Sequence, residues 1–355
     1  MLLLQETLKR IRPLDTEVIA KARARSDQLA IPRNSLGRLQ TMAQQIAGIT
    51  GQINPPYERK VITTMAGDHG VVEEGVSAFP PEVTPQMVYN FVRGGAGINV
   101  LAGHVGAEVV VVDMGVAADL TDLRETSRII SKKVDYGTRN FTKGPAMNYD
   151  QAVASIEAGI EVVNDLAKTG LHLLGLGDMG IGNTTPSSAI AAALTGRKVE
   201  EVTGRGTGVN DETLKRKIEV IKRGLAVNQP DPRDPLDVLA KVGGFEIGGL
   251  AGAIIGAAAL RIPVVIDGLI AGGGALIATE LSSTVKKYIF AGHNSVEPGH
   301  KVMLERMGLR PLLDLDLRLG EGTGAALGIS LLEASIKILN RVLTFEEAAV
   351  TEGNR

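Results

Sequence analysis

From the first residue to Pro55-Pro56, apolar positions recur at helical spacing. Asp15 is placed as an N-cap ahead of Val18, Ile19 and the basic turns of residues 21–25. Ser35 is expected to cap a second helix with Leu36, Leu39, Met42 and Ile46 on one face. No strand is predicted before Lys60. From there the pattern becomes short apolar runs ending in glycine turns: residues 61–65 run into Ala66-Gly-Asp-His-Gly70, and 171–174 into Gly175-Leu-Gly-Asp-Met-Gly-Ile-Gly. Residues 108–114 are β-branched and continuous, as in a strand buried on both faces. Residues 263–266 end at Asp267-Gly268 and 287–290 at Ala291-Gly-His293, while Leu315 and Leu317 read as a strand. Residues 151–166 and 327–339 have amphipathic helical periods.

Strands that end repeatedly in Gly with Asp, Glu or His predict an α/β fold. The expected form is a Rossmann-like parallel sheet with helices on both faces and a composite site at the carboxyl ends of the strands. Residues 60–330 are assigned to this α/β catalytic domain. Residues 1–59 with 331–355 carry too little apolar surface to fold alone and are expected as a small helical subdomain packed on it. The polar stretch 120–145, with Arg124, Arg128, Lys132, Lys133, Arg139 and Lys143, reads as an irregular excursion with a solvated basic face.

Composition changes this picture in four ways. The chain has 355 residues, 44% apolar and 22% charged, which is ordinary globular usage. A net charge of −2 leaves no electrostatic footprint for nucleic acid. There are no cysteines, which removes disulfides, zinc-thiolate sites and a cysteine nucleophile. Forty-three glycines against 3% aromatics favour close backbone approaches over aromatic stacking. The longest apolar run, 247–260, is too short to span a membrane. Its Gly248, Gly252 and Gly256 give a helix one smooth face, read as core packing on a sheet. No targeting segment is visible after Met1, so a cytoplasmic location is the default.

The candidate chemistry centres on Arg318-Leu-Gly-Glu-Gly-Thr-Gly-Ala325, where Glu321 stands between two glycines at a strand-to-helix junction. A carboxylate there suits a base or ligand clamp, and a plain glycine-rich connector with a solvated Glu fits the local sequence as well. Gly204-Arg-Gly-Thr-Gly208, followed by Asn210 and Lys217, could present backbone amides and an ammonium to a phosphate, although it has neither Walker nor dinucleotide spacing. Asp178 opens a second polar loop with Gly180, Gly182, Asn183 and Thr184. Two such loops and Arg318 suit a phosphorylated sugar. The five histidines form no metal-ligand pair, Asp113 lacks the second acid of a magnesium site, and Asp68-His69 is open as a dyad or a structural pair. No nucleophile elbow occurs.

Taken together, several stretches resemble the nicotinate-nucleotide–dimethylbenzimidazole phosphoribosyltransferase family of cobalamin assembly. They are Ser35-Leu-Gly-Arg-Leu, Ala66-Gly-Asp-His-Gly-Val, Glu74-Gly-Val-Ser, Pro80-Pro-Glu-Val-Thr-Pro-Gln-Met-Val, Gly180-Ile-Gly-Asn-Thr-Thr-Pro, Asn228-Gln-Pro, Leu239-Ala-Lys-Val-Gly-Gly-Phe-Glu, Asp267-Gly and Arg318-Leu-Gly-Glu-Gly-Thr-Gly. They run in family order over nearly the whole chain.

The resemblance implies transfer of phosphoribose from nicotinate mononucleotide to 5,6-dimethylbenzimidazole with inversion, giving α-ribazole phosphate and nicotinate without metal or cofactor. It implies Glu321 as general base and Asp178 as a second carboxyl where the family commonly has Glu. Gly180, Gly182, Asn183, Thr184, Gly204, Gly206, Gly208, Lys217 and Arg318 would hold the mononucleotide. Ser77, Phe79, Met87 and Leu319 would line the azole pocket, and Gln86 is a further substrate-binding residue. It also implies a homodimer acting on small molecules, with no nucleic acid or membrane partner. Asn34 departs from the Gly usual before Ser-Leu-Gly-Arg, and Phe79 from a small polar residue of some relatives, which leaves the acceptor open among azoles, purines and phenols. A non-catalytic sensor of the same fold and a glycosidase using water are the rival readings.

Overall fold

The computed structural model describes residues 1–126 and 128–351, so the last four positions assigned to the helical subdomain and Ser127 of the polar excursion lie outside the described residues. Three helices open the chain, α1 (Leu2–Arg10), α2 (Thr16–Gln28) and α3 (Arg38–Thr50), before strand β1 (Lys60–Gly67). After α4 (Val83–Arg93) and α5 (Gly97–His104) come β2 (Glu108–Gly115), α6 (Thr121–Glu125) and β3 (Ile130–Ser131). Helix α7 (Tyr149–Ala167) leads to β4 (Leu173–Met179), then α8 (Thr184–Thr195), α9 (Val199–Val202), α10 (Asp211–Asn228), α11 (Pro235–Val242) and α12 (Phe245–Ala259). The chain closes with β5 (Val264–Ile266), α13 (Leu269–Leu281), β6 (Ile289–Ala291), α14 (Pro298–Met307) and α15 (Thr323–Arg341).

The six strands form one parallel sheet in the order β3-β2-β1-β4-β5-β6. This is the predicted α/β architecture with a Rossmann-like strand order. β1 is buried at all eight positions and its side chains alternate between the faces. Met65 meets α12, whose Gly249 would place a methyl 2.7 Å from the Met65 sulfur. On the other face Ile62 lies by Gly175 and α15, whose Ile329 would be 3.1 Å from a methyl on Gly175.

Several sequence expectations need correction. β4 runs on through Gly175 and Gly177 to Met179, where the sequence suggested a turn. β3 is a two-residue edge strand inside the supposed excursion. Residues 315–317 form no strand: they pass beside 294–296, where Asn294 N–H donates to Leu313 O and Val296 N–H to Leu317 O. Asp15 caps α2 through Val18 N, as expected, but Ser35 caps nothing. Residues 32–37 form turns, with Asn34 at φ +58° and Gly37 at +48°, and α3 begins only at Arg38. Asn34 thus takes the left-handed conformation that Asn tolerates best after Gly.

The smooth glycine face of α12 is buried as core, yet it packs on α7 and not on the sheet. A methyl on Gly252 would lie 1.9 Å from Ile156 O, and one on Gly159 2.0 Å from Gly249 O. At the other end of the fold, Ala22, Ala43, Ala47 and Leu339, with Val18, join α2, α3 and the end of α15 in a small separate cluster. α15 continues through residue 330 without a break, while Leu4 of α1 belongs to the main core. No helix among the described residues is long and apolar enough to cross a membrane.

Candidate active site

In this strand order the connections leave β1 and β4 in opposite directions, and a crevice opens at their carboxyl ends. Residues 320–322 cross directly above it. Gly320, Glu321 and Gly322 are all left-handed, at φ +85°, +63° and +100°. For Glu321 that conformation costs about 1–2 kcal/mol. Asp267, just past β5, offsets it by accepting from Gly322 N (3.0 Å) and Gly324 N (2.7 Å). Hydrogen bonds to a charged acceptor are worth about 1.5–3 kcal/mol each, so the anchors outweigh the strain. Thr64 Oγ1 donates to Glu321 O at 3.0 Å and fixes the turn to β1.

The Glu321 side chain is 6% exposed, and its Oε2 accepts from Ile98 N at 3.1 Å. Burial raises its pKa above the usual carboxylate value and the Asp267 charge adds to this, while the Ile98 N–H opposes it. Asp178, at the end of β4, is raised well above its ordinary value by burial and then by the charges of Asp267 and Glu246, with Glu321 adding less. Asn183 Nδ2 donates to Asp178 Oδ2 at 2.9 Å, and Oδ1 has no partner among the described residues. Two carboxyls in one crevice therefore sit in environments that favour the neutral acid, Asp178 more strongly than Glu321.

Six of the sequence-predicted residues line one cleft: Asp178, Asn183, Thr184, Gly206, Arg318 and Leu319. Gly320, Thr207, His293, Ser295 and Glu297, with residues 268–270, make up the rest of its walls. Lys217 lies buried beneath, its Nζ donating to Thr184 Oγ1 (2.6 Å) and Gly204 O (3.4 Å). Burial lowers the Lys217 pKa to about 8, against the pull of the Glu297 charge. The glycine loop differs from the expected amide cradle. Gly206 N–H is given to Glu297 Oε1 at 2.8 Å and Gly208 N–H to Arg205 O at 3.0 Å. The cations remain: Lys217, and Arg318, which among the described residues donates only to Gly206 O, at 3.3 Å.

Gly180 and Gly182 form the β4–α8 turn, and Gly204 opens the loop ahead of α10, which Asn210 caps through Thr213 N. Ser77, Phe79, Gln86 and Met87 lie outside the lining of this cleft, before and within α4, and Phe79 is 47% exposed; Glu321 is also outside it, one residue past the lining Gly320. Their segment is tied to the β4–α8 turn where Ile181 N–H donates to Thr84 Oγ1 at 3.1 Å.

Asp68 and His69 are not a dyad. His69 Nε2 lies 2.9 Å from Glu246 Oε1 in a buried contact, while Asp68 Oδ2 accepts from Ala117 N at 2.8 Å. Burial alone would lower the His69 pKa; the Glu246 carboxylate, with Asp68, outweighs it and raises it. Likewise His293 Nε2 stands 3.2 Å from Asp267 Oδ1. Glu246 and Glu297 drew no notice as site residues in the sequence. The one signal for Glu297 was an acid directly before Pro298 at a helix start.

Comparison with known proteins bears on this geometry. A family profile described as phosphoribosyltransferase matches residues 11–350. A protein of Geotalea uraniireducens (strain Rf4), named nicotinate-nucleotide–dimethylbenzimidazole phosphoribosyltransferase, is 61% identical over 353 residues, 99% of each chain. One of the same name from Geobacter sulfurreducens is 58% identical over 354 residues, covering both chains in full. The crystal structure of CobT from Thermus thermophilus superposes with a TM-score of 0.90 at 46% identity, covering 95% of this chain and 100% of that one.

Proposed function

The chain belongs to the nicotinate-nucleotide–dimethylbenzimidazole phosphoribosyltransferase family, and from that premise we propose that it moves phosphoribose from nicotinate mononucleotide to 5,6-dimethylbenzimidazole. Glu321 takes the proton of the azole N–H. The other azole nitrogen forms a bond to the anomeric carbon from the face opposite the pyridinium. The bond between that carbon and the pyridinium nitrogen breaks, its electron pair neutralises the ring, and nicotinate leaves. The products are α-ribazole phosphate and nicotinate, with inversion at the anomeric carbon. Because the leaving group is cationic, departure needs no metal and no general acid.

The observation that carries this reading is the Glu321 turn: a strained, anchored carboxylate at the crevice, with its pKa raised towards the range useful to a base. Lys217 and Arg318 supply positive charge for the phosphate and the nicotinate carboxylate, around a cleft walled by Gly206, Asn183 and Thr184. Gly204 and Gly208 shape the same loop, Leu319, with Ser77, Phe79 and Met87, faces the azole, and Gln86 also binds substrate. Asp178, whose burial favours the protonated form, can offer a hydrogen bond to substrate from its unpaired Oδ1 side and leaves the azole proton to Glu321. A homodimer belongs to the same proposal.

The experiment is chromatography of wild-type and Glu321→Gln reactions containing nicotinate mononucleotide with and without the azole. We expect nicotinate release that depends on the azole, and a kcat lowered about 10²–10⁴-fold in the variant. Release without azole would favour hydrolysis, and tight binding without any release would favour a sensor. In the wild type kcat/KM falls as pH drops through the raised Glu321 pKa, because only the ionised form accepts the proton.

A further inference from the structure

Helix α5 begins without a cap of its own. Its N-cap is Ala96, which has no side-chain acceptor, and Gly94 and Gly95 precede it. At most helix starts a Ser, Thr, Asp or Asn at this position accepts from the N–H of the second or third helical residue. Here the second residue is Ile98, and its N–H donates to Glu321 Oε2, 223 residues away. Asn99 does reach back to Ala96 N at 3.1 Å, which completes the outer half of a capping arrangement and leaves Ile98 to the glutamate.

We infer that Glu321 supplies the capping acceptor that Ala96 lacks at the start of α5, and that Ile98 N–H holds Oε2 throughout the reaction so that Oε1 alone receives the azole proton. This deepens the base assignment above and rests on it. A carboxylate at a helix N-terminus is stabilised by the backbone donor and by the helix dipole. The cap therefore favours the ionised form of a buried base in a crevice whose other features push towards the neutral acid. It also fixes which oxygen faces the substrate. Gly97 is what allows the approach, since a methyl there would stand 2.9 Å from Leu319 Cδ2 and 3.4 Å from Glu321 Oε2. Helix start, base and a wall residue of the cleft thus meet at Gly97, where a larger residue would have to displace the end of the Leu319 side chain.

The other charged groups around Glu321 are Asp267, anchoring its loop from β5 with His293 beside it, Asp178 at the end of β4, and Arg318 on the same loop. The test leaves all four in place. Ala96→Ser gives α5 a cap of its own, whose hydroxyl competes for Ile98 N–H and releases Oε2. An ester in place of the residue-98 amide removes the donor with the Ile side chain intact.

In both variants the acidic limb of kcat/KM for the azole should move to higher pH, by about one unit when a bond to a charged acceptor is lost. In Ala96→Ser the melting temperature should hold or rise, so the shift cannot be ascribed to a weakened fold. An unmoved limb in both variants, with Glu321→Gln still inactive, would overturn the capping role and leave the base in place. Full turnover by Glu321→Gln would overturn the base reading itself.

Discussion

A methyl group added at Gly177 would come within 2.1 Å of the Glu321 carbonyl oxygen, and one added at Gly252 within 1.9 Å of the Ile156 carbonyl oxygen. The two contacts are equally tight, and in both a glycine lets one backbone lie on another. They differ in what lies opposite. Gly177 is in β4, beneath a three-residue left-handed turn with no regular hydrogen-bond ladder. Gly252 is in α12, against the middle of the nineteen-residue helix α7. A turn can rise from a strand at the expense of its own geometry, whereas two buried helices cannot part without opening the core between them. The same residue type therefore guards catalytic geometry at one contact and stability at the other.

The sharpest way to break this comparison is Gly177→Ala. The added methyl should lift the turn and move the Glu321 carboxylate by roughly an ångström, a displacement that costs on the order of 10²-fold in rate. We expect kcat to fall by that amount, with a loss of thermal midpoint, from the loosened Thr64 and Asp267 anchors, smaller than that of Gly252→Ala. Steady-state kinetics alongside calorimetry check it, and an unfolded or fully active variant would remove the distinction drawn here.

The converse is Gly252→Ala. Overpacking a close helix crossing costs about 1–3 kcal/mol and sometimes more, and a backbone oxygen at 1.9 Å cannot rotate away. We expect loss towards the upper end of that range in denaturant titration, with kcat per folded molecule retained. A variant that kept its stability but lost turnover would mean that α12 couples to the site, with Glu246 in its first turn as the connection.

These contacts also mark what the sequence could reveal. β2 was legible because an unbroken β-branched run has one comfortable environment, and α15 because nineteen residues hold a helical period. β4 was cut short because Gly175 and Gly177 look like turn residues; they are glycines because Ile329 and the Glu321 turn lie against them, which is tertiary information. Leu315 and Leu317 alternate like a strand but lie in a segment held by backbone bonds to 294 and 296, with Leu315 52% exposed. In the site, Glu321, Asp178, Lys217 and Arg318 carried their chemistry in residue type and motif. Glu246, although it ends one of the matching stretches, and Glu297 did not show theirs, since their partners His69 and Gly206 are distant in sequence and only the fold brings them near.

The smallest expected effect has the opposite sign. Gly103 lies in the last turn of α5 with helical backbone, and a methyl there would meet no atom within 4 Å. Neither close approach nor a left-handed dihedral requires glycine at this position. Alanine should restrict the unfolded chain without straining the folded one and stabilise by about 0.4–1 kcal/mol. Calorimetry should show a slightly higher midpoint, with kinetics unchanged because the site-facing start of α5, at Gly97 and Ile98, is undisturbed. If Gly103→Ala instead lowered turnover, the helix as a whole would transmit strain to Glu321. The division between catalytic and structural glycines would then have to be drawn around elements, with α5 counted entire as part of the site.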